Sequence, residues 1–302
     1  MSDKAHRATD RRLLDIEKRL KASYDRAGKR IEKKAAEYFG QFEKIDKIKR
    51  AQVAAGKLSE ADYIRWRKEK VLFGEKWSRM KEELAKDYAK VRSAALSYIN
   101  GEIPKIYTEN YNYFGQKIGD TVIGYNFELI NEDTVRNLAK VDSSFLPYEE
   151  IDGVKHFRWC TKEINAEILK GVLSGEGIPD LAKRLESVTN METAAAVRNA
   201  RTMVTSAENK ARQDGFERAQ ADGIVIKREW IATVDGRTRH AHALLDGQVV
   251  GVDEPFHSEY GDIMYPGDPS PSVHPANVYN CRCTLGSKII GFRMKDGTVE
   301  YV

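Results

Sequence analysis

The chain is poor in cysteine and proline and has no long apolar run. Three cysteines in 302 residues cannot build the disulfide framework that holds small secreted domains together. No stretch approaches the roughly 18 apolar residues of a membrane-spanning helix. The opening M-S-D-K-A-H-R lacks an apolar signal segment, so the chain is expected to be made and kept in the cytoplasm, with no membrane partner. No internal repeat or low-complexity segment stands out. Five of the eight prolines fall between Pro255 and Pro275, which marks a stiff, irregular loop there and leaves the rest open to helix.

What is abundant is charge. Hydrophobic residues make up 41%, enough for a core, while 32% of residues are charged, above the usual quarter, which suggests long solvated helices. The net charge of +4 hides an asymmetry. Residues 1–100 carry 27 Lys and Arg against 16 Asp and Glu, a net of +11, and the remainder carry 23 against 30, a net of −7. A basic arm suits nucleic acid or an acidic protein surface, and the alternative is a solvated helix face. The candidate nucleic-acid-binding residues are Lys29, Arg30, Lys33, Lys34, Lys47, Lys49, Arg50, Arg65, Arg67, Lys68 and Lys70.

Apolar groups recur at helical spacing through 1–48 (Ile16, Leu20, Tyr24, Ile31, Ala35, Tyr38, Phe42, Ile45), which predicts an amphipathic helix broken near Gly28 or Gly40. Ser59 reads as the N-cap of a second stripe over 61–100, with Phe73, Trp77, Met80, Leu84, Tyr88, Val91, Ala95 and Tyr98, ended by Asn100-Gly101. The two are expected to pack as an antiparallel hairpin, the aromatics forming a seam rather than a base-stacking surface. Shorter helices are expected over 104–118, 132–140, 161–173 with Thr161 as N-cap, and 179–188, with a loop over 141–152. A long helix is expected over 189–221.

The remaining chemistry is concentrated in Trp230 to Cys283, which holds four of the six histidines and two of the three cysteines. Ile224 to Thr233 reads as a strand, Asp235-Gly236 and Asp246-Gly247 as turns, Gln248 to Val252 as a short strand, and Val278 to Leu285 as a return strand carrying C-R-C on one face.

This stretch resembles the Mu F-like family of phage head morphogenesis, or minor head, proteins. The matching pieces are W-I-A-T-x-D-x-R-T-R-x-x-H (Trp230, Asp235, Arg237, Thr238, Arg239, His242), D-G-Q (Asp246, Gly247, Gln248), Y-P-G-D-P (Tyr265 to Pro269) and N-C-R-C-T-L (Asn280, Cys281, Arg282, Cys283 to Leu285). A-R-T (Ala200 to Thr202) and A-x-N (Ala207 to Asn209) lie upstream. The family often has Glu after A-R-T, where this chain has Met203, so no carboxylate role is carried to that position. The resemblance covers roughly residues 190–290. It implies a portal-associated minor component of a double-stranded DNA phage head, present in few copies inside the virion head. Such a protein acts in procapsid assembly, DNA packaging or ejection, with portal protein, double-stranded DNA and scaffold or major capsid protein as candidate partners.

His242, His274, Cys281 and Cys283 are the candidate metal ligands, since two thiolates and two imidazoles suit a tetrahedral zinc site. C-x-C departs from the usual C-x-x-C knuckle, and the reading the sequence favours is structural, with the thiols packed as small apolar groups and no cofactor. Asp235, Arg237, Arg239, His240 and His242 have the residue types of a hydrolytic or phosphoryl-transfer site. No second acidic cluster accompanies them to hold catalytic Mg²⁺, and the preferred reading has Asp235 capping the turn or pairing with Arg239. The expected fold is α+β: a mainly helical region over 1–188 with a basic helical hairpin over 1–100, then a compact domain over 189–302 with a long helix on a small antiparallel sheet. The expected function is binding, not turnover, the alternative being a nuclease or toxin-like nucleotide-modifying enzyme.

Overall fold

The computed structural model describes residues 3–148, 152–294 and 296–301. The described residues form helices α1 (Lys4–Gly40), α2 (Glu43–Ala54), α3 (Glu60–Val71), α4 (Glu75–Thr121), α5 (Glu132–Val141), α6 (Gly153–Leu173), α7 (Ile178–Lys183) and α8 (Leu185–Ala221). There follow β1 (Ile224–Ile231), α9 (His240–Leu245), β2 (Val249–Gly251), β3 (Phe256–Ser258), β4 (Gly261–Ile263), α10 (Pro275–Val278), β5 (Thr284–Arg293) and β6 (Val299–Tyr301). No helix among the described residues is long and apolar enough to cross a membrane. The α+β class is as expected, with long helices first and a long helix leading into a small antiparallel sheet.

Several boundaries differ from the sequence reading, each for a physical reason. Of the two breaks offered, the one at Gly40 occurs, where α1 ends, and the helix runs unbroken through Gly28, whose missing side chain is needed: a Cβ there would lie 2.8 Å from Cγ2 of Thr189. Helix α4 does not stop at Asn100-Gly101 and carries Pro104 inside it. Ile99, Ile103 and Ile106 are all fully buried, and burying such side chains at roughly 1.5–3 kcal/mol each outweighs interior penalties of about 1 kcal/mol for Gly and about 3 for Pro. Helix α6 starts at Gly153, not Thr161, because the Asp152 side chain accepts from Lys155 N at 2.9 Å and caps it. Phe73 falls in the break before α4 and is 70% exposed, outside the seam. Cys281 and Cys283 precede β5 rather than lying on it. Ser59 does cap α3, accepting from Asp62 N at 3.1 Å. Of the loop expected over 141–152, residues 149–151 lie outside the described residues.

Contacts divide the chain into two compact units, one of Met1–Glu17, Tyr98–Glu149 and Arg198–Val302, the other of Lys18–Ser97 and Glu150–Val197. The second unit is helical. Its core gathers Ile31, Tyr38 and Phe39 of α1, Trp77, Leu84 and Tyr88 of α4, Ile164 and Ile168 of α6, and Leu185 and Val188 of α8. Within it α1 and α4 run antiparallel: Lys34 pairs with Asp87, and the Tyr38 ring lies 5.7 Å from that of Trp77. The aromatic stripe is thus a packing seam.

The first unit holds the sheet, ordered β2-β1-β5-β6 and antiparallel throughout, with β3 and β4 as a separate hairpin. In β1 the alternate residues Ile224, Ile226, Arg228 and Trp230 point inward. Trp230 is fully buried and meets Phe256 edge to face at 5.3 Å. Arg228 is also fully buried, but its guanidinium donates to Gly251 O at 2.9 Å, Gln213 Oε1 at 2.6 Å, Met264 O at 2.6 Å and Glu254 O, so the charge fastens α8, the end of β2 and two loops to the strand.

Candidate functional site: a His–Cys–Cys cluster held by α8

One face of α8 carries polar residues, Arg201 and Thr202 and then Thr205, Asn209 and Arg212 at steps of three or four, and each bonds the chain from Asn280 after α10 to Leu285 at the start of β5. Arg201 Nη1 donates to Asn280 Oδ1 at 3.3 Å, and Thr202 Oγ1 accepts from Asn280 N at 2.9 Å. Thr205 Oγ1 donates to Cys281 O at 2.7 Å. Asn209 donates to Cys283 O at 3.2 Å and accepts from Leu285 N at 2.9 Å. Arg212 donates to Leu285 O at 2.8 Å. Residues 279–283 have no regular secondary structure, yet buried carbonyls and amides must be paired, and α8 supplies the partners. Asn280 sits at φ 58°, the sole positive φ among described non-glycine residues, a conformation Asn tolerates better than most. That explains A-R-T, A-x-N and the leading Asn of N-C-R-C in one arrangement.

The turn motifs act likewise. Asp246 Oδ1 accepts from Ala232 N at 2.8 Å. Buried Asp268 accepts from Ser270 N at 3.0 Å and Met264 N at 3.3 Å, closing the Y-P-G-D-P turn. Gly267 has φ 79°, and a Cβ there would lie 2.9 Å from Ser206 N, so only glycine lets this turn touch α8. Asp235 caps its turn, accepting from Arg237 N at 2.9 Å, but does not pair with Arg239. It accepts from both Arg282 Nη1 and Nη2 at 2.8 Å, and Arg237 lies 3.6 Å away. Arg282 holds the Asp235 carboxyl far below the usual range. Arg239 instead donates to Tyr279 O. His240 is exposed beside Glu259 at 3.3 Å. Of the five residues considered for hydrolysis, Asp235 and His240 are thus drawn off to Arg282 and Glu259, and only Arg237, Arg239 and His242 share a cavity.

Three of the four candidate metal ligands do converge. His242 Nδ1 lies 3.4 Å from Cys281 Sγ and 3.7 Å from Cys283 Sγ, and all three residues are at least 97% buried. They form a group that could hold a metal ion. His274 is elsewhere: exposed, stacked on Tyr260 at 5.5 Å, and capping α10 by accepting from Ala276 N at 3.2 Å. A zinc–sulfur distance of about 2.3 Å and a zinc–nitrogen distance of about 2.0–2.1 Å put sulfur and nitrogen roughly 3.6 Å apart in a tetrahedron, which the two measured separations bracket. His242 Nε2 is buried without a hydrogen-bond partner, and the ring meets Trp230 edge to face at 5.5 Å. A hydrogen bond shared between the thiols raises the Cys281 pKa and lowers that of Cys283, which His242 lowers further. The cysteines are free. A cavity of about 200 Å³, lined by these three residues together with Arg237, Arg239, Arg282, Thr233, Thr238 and Asn280, opens over the cluster.

The basic residues of 18–97 divide by burial. Lys29, Arg30, Lys33 and Lys70 are exposed. Lys47 pairs with Glu43 at 2.7 Å and Arg65 with Asp62 at 3.0 Å. Lys34 pairs with Asp87. Lys49 lies 5.2 Å from the Trp66 ring centre, and half-buried Lys68 lines a cavity beside Trp77. Arg67 is fully buried against Asp46 and Tyr63, so it cannot reach a phosphate. Arg50 is bound to Asp46 and to Gly175 O.

The sequence reading missed one charged network. Glu208, the middle residue of A-x-N, is 2% exposed. Its Oε1 accepts from Thr284 Oγ1 at 2.7 Å, and His6 Nδ1 lies 2.8 Å and Arg212 Nη2 3.3 Å away. Arg212 also pairs with Asp3 at 2.6 Å. The i,i+4 spacing of Glu208 and Arg212 is visible in the sequence, but not that His6, about 200 positions away, completes it.

The family described as Phage Mu protein F like protein matches residues 162–286. The minor head protein GP7 of Bacillus phage SPP1 is 25% identical over 95% of this chain and 92% of its own length. The NAD(+)–arginine ADP-ribosyltransferase EFV of Enterococcus faecalis is 33% identical over 54% of this chain, which spans only 32% of that protein. An uncharacterized protein, YqbB of Bacillus subtilis, is 29% identical over 43% of this chain and 44% of its own. No solved structure matches.

The Glu208 network sets a pH dependence. Burial works against charge on both partners, but each partner outweighs it for the other: the His6 pKa is raised, with Glu208 the opposing charge, and that of Glu208 is lowered by His6 and Arg212. The His6 contribution is complete below its unfolded value near 6.5 and is lost as pH rises through the raised folded value. That of Glu208 is complete above about 4.5 and is lost as pH falls through the lowered one. Thermal unfolding of the full chain should show a stability plateau between about pH 4.5 and 6.5, with a decline above it of about 1.4 kcal/mol per unit of His6 shift. His6→Ala should lack that alkaline decline, and an unchanged pH profile in that variant would remove His6 from the account.

Proposed function

Since this chain belongs, through residues 162–286, to the Mu F-like family of phage minor head proteins, we propose that it acts in the phage head by binding rather than turnover. In this reading it associates with the portal inside the virion head, is assembled there from the host cytoplasm, and serves procapsid assembly, DNA packaging or DNA ejection. Scaffold or major capsid protein are further candidate partners. Residues 189–302 would act as the head morphogenesis domain behind the mainly helical residues 1–188. The observation that carries the reading is the match to a minor head protein along nearly the whole of both chains. The transferase match raises a second reading, an enzyme that acts on arginine with NAD(+) rather than one that modifies nucleotides, but this chain spans only 32% of that protein. The family-motif acids Asp235, Asp246 and Asp268 are engaged with arginine, backbone and serine groups, which favours binding.

Within this reading the exposed Lys29, Arg30 and Lys33 of α1 give double-stranded DNA a sequence-independent surface, and His242, Cys281 and Cys283 hold a zinc ion that fastens the end of the proline-rich loop to α9.

Each element has its own test. Heads assembled with and without the protein are purified and probed for portal; co-purification with portal is expected, and a protein found only with free capsid shell would overturn the assignment. The full chain should bind duplex DNA with an affinity that falls steeply with salt. Lys29→Glu, Arg30→Glu and Lys33→Glu together should flatten the log–log slope by about 0.9 for each phosphate no longer neutralised, and a salt-independent or unchanged affinity would dismiss this surface. Elemental analysis should give about one zinc per chain, lost in Cys281→Ser. Metal-free protein that stays folded as Cys281→Ala would return the thiols to plain packing.

A further inference from the structure

The His242, Cys281 and Cys283 cluster supplies three ligands and no more: among the described residues no fourth His, Cys, Asp or Glu joins it. Structural zinc sites are closed by four protein ligands, whereas three leave one position for an exchangeable group. Here the three ligands themselves line the cavity of about 200 Å³, so that position has somewhere to open. The cavity's other charged lining residues are Arg237, Arg239 and Arg282, with no carboxylate among them.

Resting on the zinc reading, we infer that the fourth metal position faces this cavity and takes a phosphate group gripped by the surrounding arginines. The charges decide between anions. Two thiolates cancel the zinc dication. Of three guanidinium charges, Asp235 offsets one, through its two bonds to Arg282. Arg239 donates to the Tyr279 carbonyl, which leaves its charge uncompensated. Arg237 lies 3.6 Å from the same Asp235, a carboxylate already shared. The balance is about two positive charges, matched by a phosphate monoester or inorganic phosphate at about −1.5 to −2, whereas a carboxylate would leave one unmatched. Guanidinium forks also fit phosphate oxygens in paired hydrogen bonds. The metal is a Lewis acid for one phosphate oxygen, and no bond in the ligand need break.

The test uses the full-length protein with zinc exchanged for Co²⁺, whose visible d–d bands report the coordination sphere. Inorganic phosphate should shift those bands saturably. Acetate should do so only at much higher concentration. A 5′-phosphorylated oligonucleotide, compared with its unphosphorylated twin, distinguishes a nucleic-acid terminus from free phosphate as the source. Arg239→Gln should leave the ligand-free cobalt spectrum unchanged while weakening phosphate by about tenfold or more, the worth of one charge-assisted hydrogen bond. Failure to bind cobalt would sink the zinc reading and this inference with it. Cobalt bands indifferent to phosphate would leave zinc in place and overturn the open position. Acetate binding as tightly as phosphate, or an Arg239→Gln variant with undiminished phosphate affinity, would overturn the phosphate assignment.

Discussion

The hydrogen bonds from one face of α8 to residues 280–285 are the constraint on which the sheet-bearing unit depends. Residues 279–283 belong to no helix or strand, and a buried backbone without partners costs about 1–3 kcal/mol for each group left unpaired. Thr205, Asn209 and Arg212 meet that demand from successive turns of a single helix. Their placement fixes what lies around them. Leu285 enters β5 opposite Trp230. Cys281 and Cys283 are both delivered to the same His242 nitrogen. Arg282, between them, lines the same cavity and clamps the Asp235 turn at its rim.

Much of the fold was legible in the sequence, since it rests on period. The inward alternation of β1, the Ser59 cap and the stop of α8 at Asp222-Gly223 all follow from local chemistry, Gly223 taking φ 91°. Local rules failed where burial overrode them. Asn100, Gly101 and Pro104 look like punctuation, but they are interspersed with the buried Ile99, Ile103 and Ile106, and the apolar stripe wins. Asp152 as the cap of α6 was hidden because the first turn behind it, Gly153 to His156, is weakly patterned.

The site was legible as a set of residue types but not as a constellation. Spacing offers four histidines near C-R-C with nothing to rank them. The fold ranks them by the element each begins or ends: His274 precedes the short α10 and turns its ring to Tyr260, while His242 lies within α9 against Trp230. Asp235 was readable as a turn residue, but its partner was not. Arg239 and Arg282 are equally plausible in sequence, and only the path of C-R-C from α10 into β5 brings the second one in.

Net charge overstated the basic surface for a related reason. A count treats every lysine and arginine as solvated, yet an arginine can serve as a buried donor, because its planar guanidinium satisfies several acceptors at once. Arg50 and Arg67 share Asp46 in the helical unit, and Arg228 ties the end of β2 and two loops to β1. Long lysines pair along their own helices, as Lys47 does with Glu43. What remains for an external phosphate backbone is the subset that neither fills the interior nor is taken up by a neighbouring acid. On α1 that subset includes the run at Lys29, Arg30 and Lys33, directly beyond the glycine that lies against Thr189.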